Sequence, residues 1–328
     1  MKVIIPIFFF LVSTTNLLSQ CNGSYLLCHK RYNEVAYLTT HNSFNSTAGN
    51  FSFPNQTYNI LDQLNSGVRA LMIDVYDDSG TPVVYHSFPL LGSINLLDIF
   101  IDIKYFLDHN PNEILTIIFE SYTDANSIEN EINSSGLDSY LYSKDSSSLW
   151  STLENMINSN ERLIIFSDVD DASFNQSWYH YIWDYAVETH FSVANINDFN
   201  CDYNRGDSLN DLFIFNHFLT DAMFGYGLYS ESAIVNTDSF FLNRVLNCQS
   251  QKSKFPNFLT VDFFELGDCM SVTEQINSLY TTVEDINSHN KSLVYIFDIM
   301  GNYSIPKSGE LLFYYYDDGS IDKKILFD

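Results

Sequence analysis

Four residues able to do acid–base or metal chemistry stand at the ends of short apolar or β-branched runs. His41 follows Tyr37–Thr40 in T-T-H-N-S (39–43), and Asp74 closes A-L-M-I-D within G-V-R-A-L-M-I-D-V-Y-D (67–77). His86 lies in V-V-Y-H-S (83–87) and Glu120 in L-T-I-I-F-E-S-Y (115–122). Imidazoles titrate near pH 6.5, so two of them at one place supply a neutral base and a protonated acid together near neutral pH. Carboxylates beside them offer oxygen ligands to a hard cation, or a partner that orients a catalytic imidazole.

For these residues to meet, each run must be a strand that delivers its last side chain to a common mouth. Side chains alternate along a strand, which puts Ala70, Met72 and Asp74 on one face. Thr116, Ile118 and Glu120 share a face in the same way, as do Val84 and His86. A polar tip on an otherwise small or apolar face is the pattern of the inside of a parallel barrel with its chemistry at the C-terminal strand ends. The expected fold is therefore α/β, a (β/α)8 TIM-type barrel from about Val35 to Asn287. Strands one to four end at Thr40, Asp74, Ser87 and Glu120. Strand five is expected at Leu163–Phe166, six at Phe191–Ala194, seven at Leu212–Asn216 and eight at Phe258–Phe263. Helices are expected at Tyr58–Ser66, Ile94–Leu107, Ile128–Ser134, Trp178–Thr189 and Val272–Asn287, the second stopped by Asn110-Pro111. Three strands are left over, Leu293–Ile299, Leu311–Tyr316 and Ile321–Phe327, the last two joined through Asp317-Asp318-Gly319. They make residues 290–328 an appended β element of a single domain, 21–328.

The chain has 328 residues, 45% hydrophobic, enough for one large core. Its 15 basic and 41 acidic residues give a net charge of -26. That balance excludes nucleic acid as a partner and docking on anionic membrane through a basic patch. Lys2 followed by the apolar Val3–Val12, too short to span a bilayer, reads as a secretory signal peptide over residues 1–20, with no transmembrane segment. Sequons at Asn22, Asn45, Asn50, Asn55, Asn133, Asn175, Asn290 and Asn302 suit a secreted, extracellular glycoprotein. Five cysteines imply disulfides with one thiol left over. Cys21 and Cys28 are near neighbours, and Cys201, Cys248 and Cys269 compete for a second bridge. Asp168, Asp170 and Asp171 read as a solvated loop, and His217 as a structural histidine.

The ordered set of these motifs resembles the X-region of phosphatidylinositol-specific phospholipase C, closest to secreted single-barrel members of fungi and plants. T-H-N-S and Y-H-S are joined by C-N-G-S-x-x-L-C (21–28), F-L-x-x-N-P-x-E (106–113), L-I-I-F-S-D (163–168), C-x-Y-N-R-G (201–206), L-F-I-F-N-H-F (212–218) and P-N-F-L-T-V-D-F (256–263), so the resemblance covers roughly residues 21 to 290. It implies a phosphodiesterase in which His41 is the base on the inositol 2-hydroxyl and His86 the acid on the diacylglycerol oxygen, giving a cyclic phosphate first. Asp262 would orient His41. Calcium-dependent members imply a Ca2+ site at Asn42, Asp74 and Glu120, with Met72 standing where the family has a further Glu. Metal-independent members carry an Arg at the position of Asp74, which leaves Arg69 as a substrate-binding cation or as half of a structural ion pair. Resemblance to the plant members pairs Cys201 with Cys248. The implied partner is a phospholipid head group met transiently at a membrane surface. The alternatives are a glycerophosphodiester or glycolipid-anchor phosphodiesterase, and a non-catalytic binding barrel.

Overall fold

The computed structural model describes residues 20–279, apart from 146–147, 172, 175 and 222–224, and residues 293–298, 301, 303–305, 311–316 and 321–325. Residues 1–19 of the expected signal peptide, the sequons at Asn175, Asn290 and Asn302, and the expected connection at Asp317–Gly319 lie outside the described residues. The chain forms two compact units, Met1–Ile276 and Asn277–Asp328.

In the first unit the strands are β1 (Tyr37–Thr40), β2 (Ala70–Asp78), β3 (Thr81–Val84), β4 (Ile94–Asn95), β5 (Leu115–Tyr122), β6 (Leu163–Ser167), β7 (Tyr179–Tyr181), β8 (Ala186–Thr189), β9 (Tyr203–Gly206), β10 (Leu212–Asn216) and β11 (Phe258–Val261). The helices are α1 (Ile60–Asn65), α2 (Leu96–His109), α3 (Ala125–Ser135), α4 (Leu153–Ser159), α5 (Tyr229–Val235), α6 (Asp238–Lys252) and α7 (Cys269–Leu279). The sheet runs β7-β6-β5-β2-β1-β11-β10-β8-β9. Every pairing along it is parallel except β8 with β9. The expected barrel type is present as a curled sheet; among the described residues no pairing joins β7 to β8.

Burial on both faces explains the runs of β1, β6, β10 and β11, in which every residue is buried. Tyr37, Ala70, Ile118, Ile164, Phe166, Ile214 and Phe258 pack together with Tyr32 and Trp150 inside the curl. Their neighbours of opposite parity, Leu71, Ile73, Ile117, Phe119, Ile165, Phe213, Phe215 and Leu259, pack outward in a separate core with the helices. α2 shows why: it buries Leu96, Ile99, Phe100, Ile103, Phe106 and Leu107, an i, i+3, i+4 stripe, and ends at Asn110 before Pro111. α3 is capped by the Asp124 side chain and closed by Gly136 in the left-handed region at φ 77°.

Three expected elements differ. Residues 178–189 are not a helix but β7, a 3-10 turn (Ile182–Asp184) and β8. Aromatic and β-branched residues dominate there, and extended backbone suits them better than a helix. Strand six is therefore Ala186–Thr189, and Phe191–Ala194 is loop. The third expected strand is β3, which pairs antiparallel with β2 and stands off the parallel path. Cys21 pairs with Cys28 and Cys201 with Cys248, the second bridge tying the segment before β9 to α6. Cys269 is free and buried.

The second unit contains an antiparallel sheet of β12 (Leu293–Phe297), β13 (Leu311–Tyr316) and β14 (Ile321–Ile325). Cross-strand rings stack at Tyr295–Tyr315, 4.7 Å, and Phe297–Phe313, 5.4 Å. No helix among the described residues is long and apolar enough to cross a membrane.

Candidate active site

The parity that fills the curl with apolar side chains also decides which polar residues reach its mouth. Counting by twos from the inner residues of each strand leads from Tyr37 to His41, from Ala70 to Asp74, from Ile118 to Glu120 and from Phe166 to Asp168. The same count leads from Ala186 to Glu188, from Ile214 to Asn216 and from Phe258 to Asp262. All seven are thus inward tips of parallel strands. Six of them line one cavity together with Asn42, Met72, Trp183, Phe191, Arg205 and Phe218, and the seventh, Asp262, stands behind His41.

His41 is fixed on several sides. Its Nδ1 lies 3.0 Å from Oδ1 of Asp262, which is fully buried, and its ring stacks on Phe218 with centroids 3.9 Å apart. Asn55 donates from Nδ2 to both Asp262 oxygens, at 3.2 and 3.1 Å, and Gln56 donates to the carbonyls of His41 and Val261. Burial pushes the Asp262 carboxyl up, while the charge of His41 and the hydrogen bonds from His41 and Asn55 pull it down. Asp262 accepts from Nδ1–H, leaving Nε2 as the proton acceptor that a general base needs. Asn42 and Phe263, next in the chain after these two residues, have φ of 44° and 47°, so the backbone turns away from the strand direction immediately beyond each.

His86 follows β3 on a loop where Ser87 has φ 62° and Phe88 N–H donates to the His86 carbonyl at 2.7 Å. It borders a second, apolar cavity of about 460 Å³ lined by Phe51, Phe53, Phe88, Leu90, Leu91 and Tyr226. Burial and the nearby charge of His41 lower its pKa to about 4, against the opposing pull of Glu120.

Asp74 and Glu120 sit directly opposite each other in the β2–β5 register. Burial, then Glu120, then Asp168 drive the Asp74 carboxyl well above its ordinary range. The carboxylates are crowded with too little positive charge around them. Among the described residues no group of three or more His, Cys, Asp or Glu is arranged to hold a metal ion.

The family model PI-PLC X 1 matches residues 27–277. The chain belongs to the PI-PLC X family. A PI-PLC X domain-containing protein of Arabidopsis thaliana is 28% identical over 272 residues, 76% of this chain and 62% of that protein. PI-PLC X domain-containing protein 1 of Arthroderma benhamiae is 27% identical over 279 residues, 79% of this chain and 90% of its own length. An uncharacterized secreted protein of the same organism is 26% identical, with 61% of its length covered. The aligned region thus spans about six tenths of two of these curated relatives. Among solved structures, the phosphatidylinositol-specific phospholipase C of Listeria monocytogenes aligns with TM-score 0.51 at 16% identity, over 76% of this chain and 94% of that one. That of Staphylococcus aureus aligns with TM-score 0.53 at 14% identity, over 80% and 98%. At these identities the likeness is one of fold.

Within this PI-PLC X domain, His41, Asn42, Asp74 and Glu120 share the polar cavity, Asp262 backs His41 and His86 faces the neighbouring apolar cavity. Arg69 is placed elsewhere, and its reading as a substrate-binding cation is corrected. At the start of β2 its Nε donates to Glu113 at 2.6 Å and Nη1 to the carbonyls of Leu64 and Val68, with the guanidinium over Phe106. The cation at the cavity is Arg205, which sequence reading left without a role. Its guanidinium lies between Trp183 and Phe191, 4.5 and 4.7 Å from their centroids, and grips Glu188 at 2.5 and 3.3 Å. Asp168 lines the cavity rather than a solvated loop, its Oδ1 accepting from Ser121 N–H at 2.9 Å. Asn45 and Asn55 are fully buried, so these two sequons are framework residues, while Asn50 and Asn133 are exposed. His217 is buried, bonded to the Val235 carbonyl and Arg244 and stacked on Phe241.

Proposed function

We propose that the chain is a phosphoric diester hydrolase of phospholipase C type acting on an inositol phospholipid. The observation that carries this reading is the charged lining of one cavity, set among apolar walls, beside a second cavity that is apolar almost throughout. His41 belongs to one lined by carboxylates, amides and Arg205, suited to a hydroxyl-rich ring, and His86 belongs to one lined by Phe and Leu, suited to a lipid. A phosphodiester bridging them puts its polyol beside the base and its apolar alcohol beside the acid.

Nε2 of His41 takes the proton of the ring hydroxyl adjacent to the phosphate, and that oxygen attacks phosphorus. The bond from phosphorus to the lipid oxygen breaks as His86 delivers a proton to it, giving a cyclic phosphate and a neutral lipid alcohol. Asp262 holds His41 in the required tautomer and favours its charged form once the proton has moved. His86 is neutral in the ligand-free protein, so it gains its proton alongside the anionic phosphate, which favours the imidazolium.

A calcium ion suits the oxygen donors here: Asn42, Asp74 and Glu120 would hold it, completed by water. Asp74 and Glu120, opposite each other in the β2–β5 register, would contribute carboxylate oxygens from adjacent strands. When bound, the ion would supply positive charge next to the phosphate. Two disulfides and a relative called secreted support an extracellular location, where the partner is a head group met transiently at a lipid surface.

The test is turnover of phosphatidylinositol in vesicles, followed by phosphorus NMR for a cyclic phosphate, with calcium and with chelator. Cyclic product is expected, reduced in chelator and in Asp74→Asn and Glu120→Gln. Folded protein that turns over no inositol lipid would sink the catalytic reading. Equal rates in chelator would remove the metal alone, leaving Arg205 as the cation of the cavity.

A further inference from the structure

We infer that the apolar cavity beside His86 binds one aliphatic chain of the leaving alcohol as an individual ligand, so that chain length is recognised in single molecules in solution and not only at a lipid surface. This deepens the reading above and rests on it for the identity of the alcohol.

The cavity has the size and the lining for such a chain. Its volume of about 460 Å³ falls within the range of about 300–1,000 Å³ common to small-ligand sites. None of its described lining residues is Lys, Arg, Asp or Glu, which suits an occupant with no charge to solvate and no hydrogen bonds to satisfy. Two loops form its walls and are tied together at one end. Ser52 N–H donates to the Leu91 carbonyl at 2.7 Å. Phe51 is 8% exposed and packs against Phe44, with ring centroids 5.8 Å apart. A Cβ at Gly92 would fall 2.5 Å from Cδ1 of Phe51, so only glycine lets the second loop lie this close to the ring. Held in this way, Phe51 is a fixed wall rather than a side chain free to collapse into the space. On a further side Tyr226 stacks on Phe53, with centroids 5.1 Å apart.

The rim of the cavity is exposed and apolar. Phe53, Phe88 and Leu90 are 55%, 64% and 98% exposed. Large apolar side chains left in water around a cavity mark the place where an apolar ligand enters. The cavity also reaches the reacting end of the molecule, because His86 is part of its lining. A Cβ at Gly225 would stand 3.7 Å from Cε1 and 3.8 Å from Nε2 of His86, so glycine there keeps this edge of the imidazole clear for an oxygen. An alcohol oxygen at His86 therefore has its carbon chain next to the cavity, where burial adds affinity in proportion to apolar area. Contact with a bilayer alone would use the exposed rim and leave the buried wall at Phe51 unused.

The test is calorimetry of the full chain with two soluble, uncharged probes below their aggregation thresholds, monobutanoylglycerol and monooctanoylglycerol. Neither carries a phosphate or a polyol ring, so the comparison reads the apolar cavity by itself. Burying the longer chain should tighten binding at least about tenfold in wild type. Leu91→Trp, which places a larger side chain in the cavity, should remove most of that gain. Equal binding of the two probes, or binding of neither, overturns the inference. So does a Leu91→Trp protein with the wild-type melting temperature that keeps the full gain. Binding to phosphatidylcholine vesicles without binding to monooctanoylglycerol overturns it too, and assigns the exposed rim to contact with a bilayer. The wild-type comparison needs no variant. No turnover is read, so chain-dependent binding by a protein that makes no cyclic phosphate would defeat the catalytic reading alone. Cyclic phosphate without chain-dependent binding would defeat this inference alone.

Discussion

His41 rides on β1 in the middle of the sheet, its ring fixed by Asp262 at one edge and by Phe218 across its face. His86 stands on a loop beyond β3, off the parallel sheet, against the apolar cavity. The two residues share a chemistry and differ in how they are held. A base must present one nitrogen, unprotonated, at a fixed point, which calls for a buried acceptor behind it. An acid that draws its proton from the approach of an anion needs a dry wall and a partner of changeable charge, which the apolar cavity and the substrate supply. Rigidity on one side and responsiveness on the other is what separates the base from the acid.

The largest effect expected is loss of turnover on removing either ring. His41→Ala and His86→Ala should each lower lipid cleavage by about 10²- to 10⁴-fold, with the fold retained, because both are strand-end or loop positions whose truncation leaves the core intact. A substrate whose leaving group departs without protonation, such as a nitrophenyl ester, separates the roles. It should restore much of the rate to His86→Ala and little to His41→Ala. The same rescue in both variants would mean that the roles are not divided as the cavities suggest.

How much of this was visible in the sequence follows from parity. Tips on runs that read clearly as strands, Asp74 and Glu120, were legible because an apolar, period-two run leaves no other face for them. Asp262, the residue after β11, was legible for the same reason. Glu188 obeys the same rule but sits in W-Y-H-Y-I-W-D-Y-A-V-E-T (178–189), where a short aromatic run fits a helix as well as a strand, so its parity could not be counted. Asp168 has the right parity in L-I-I-F-S-D, yet the following Asp170 and Asp171 make the segment look like a solvated loop. His86 does not follow from parity, since the strand before it is antiparallel and only its loop reaches the site. Asn55 and Arg205 come from loops or a strand outside the parallel set, and no local pattern distinguishes an acceptor sequon from an asparagine clamped on a buried carboxylate.

Next in size is the support behind the base. Asp262→Asn keeps the volume but replaces an acceptor with a side chain that can turn its amide towards the imidazole, favouring the wrong tautomer. Turnover should fall on the order of 10²-fold or more, with KM little changed. Asn55→Ala strips two hydrogen bonds from a fully buried carboxylate and should destabilise the fold by about 1–3 kcal/mol, read as a lower melting temperature. If Asn55→Ala melts like wild type, His41 is not held by the buried cluster and the contrast with His86 disappears.

The smallest effect is one proton, and it tests the responsive half. His86 has its pKa lowered to about 4 by burial and by His41, so at neutral pH the free protein carries it neutral. A bound phosphodiester replaces that environment with a neighbouring negative charge and raises the pKa, so binding near pH 6 should consume up to about one proton. Calorimetry of a head-group probe in buffers of different ionisation enthalpy measures this directly, and the uptake should be lost in His86→Ala. The same shift has a sign for stability. A histidine whose folded pKa lies below its unfolded value contributes fully above about pH 6.5, and the contribution disappears as the pH falls towards 4. His86→Ala should accordingly melt with a shallower loss of stability than wild type between those limits. Unchanged proton uptake in His86→Ala, together with an unchanged acid slope, would place the titrating group elsewhere and leave His86 without the property that makes it an acid.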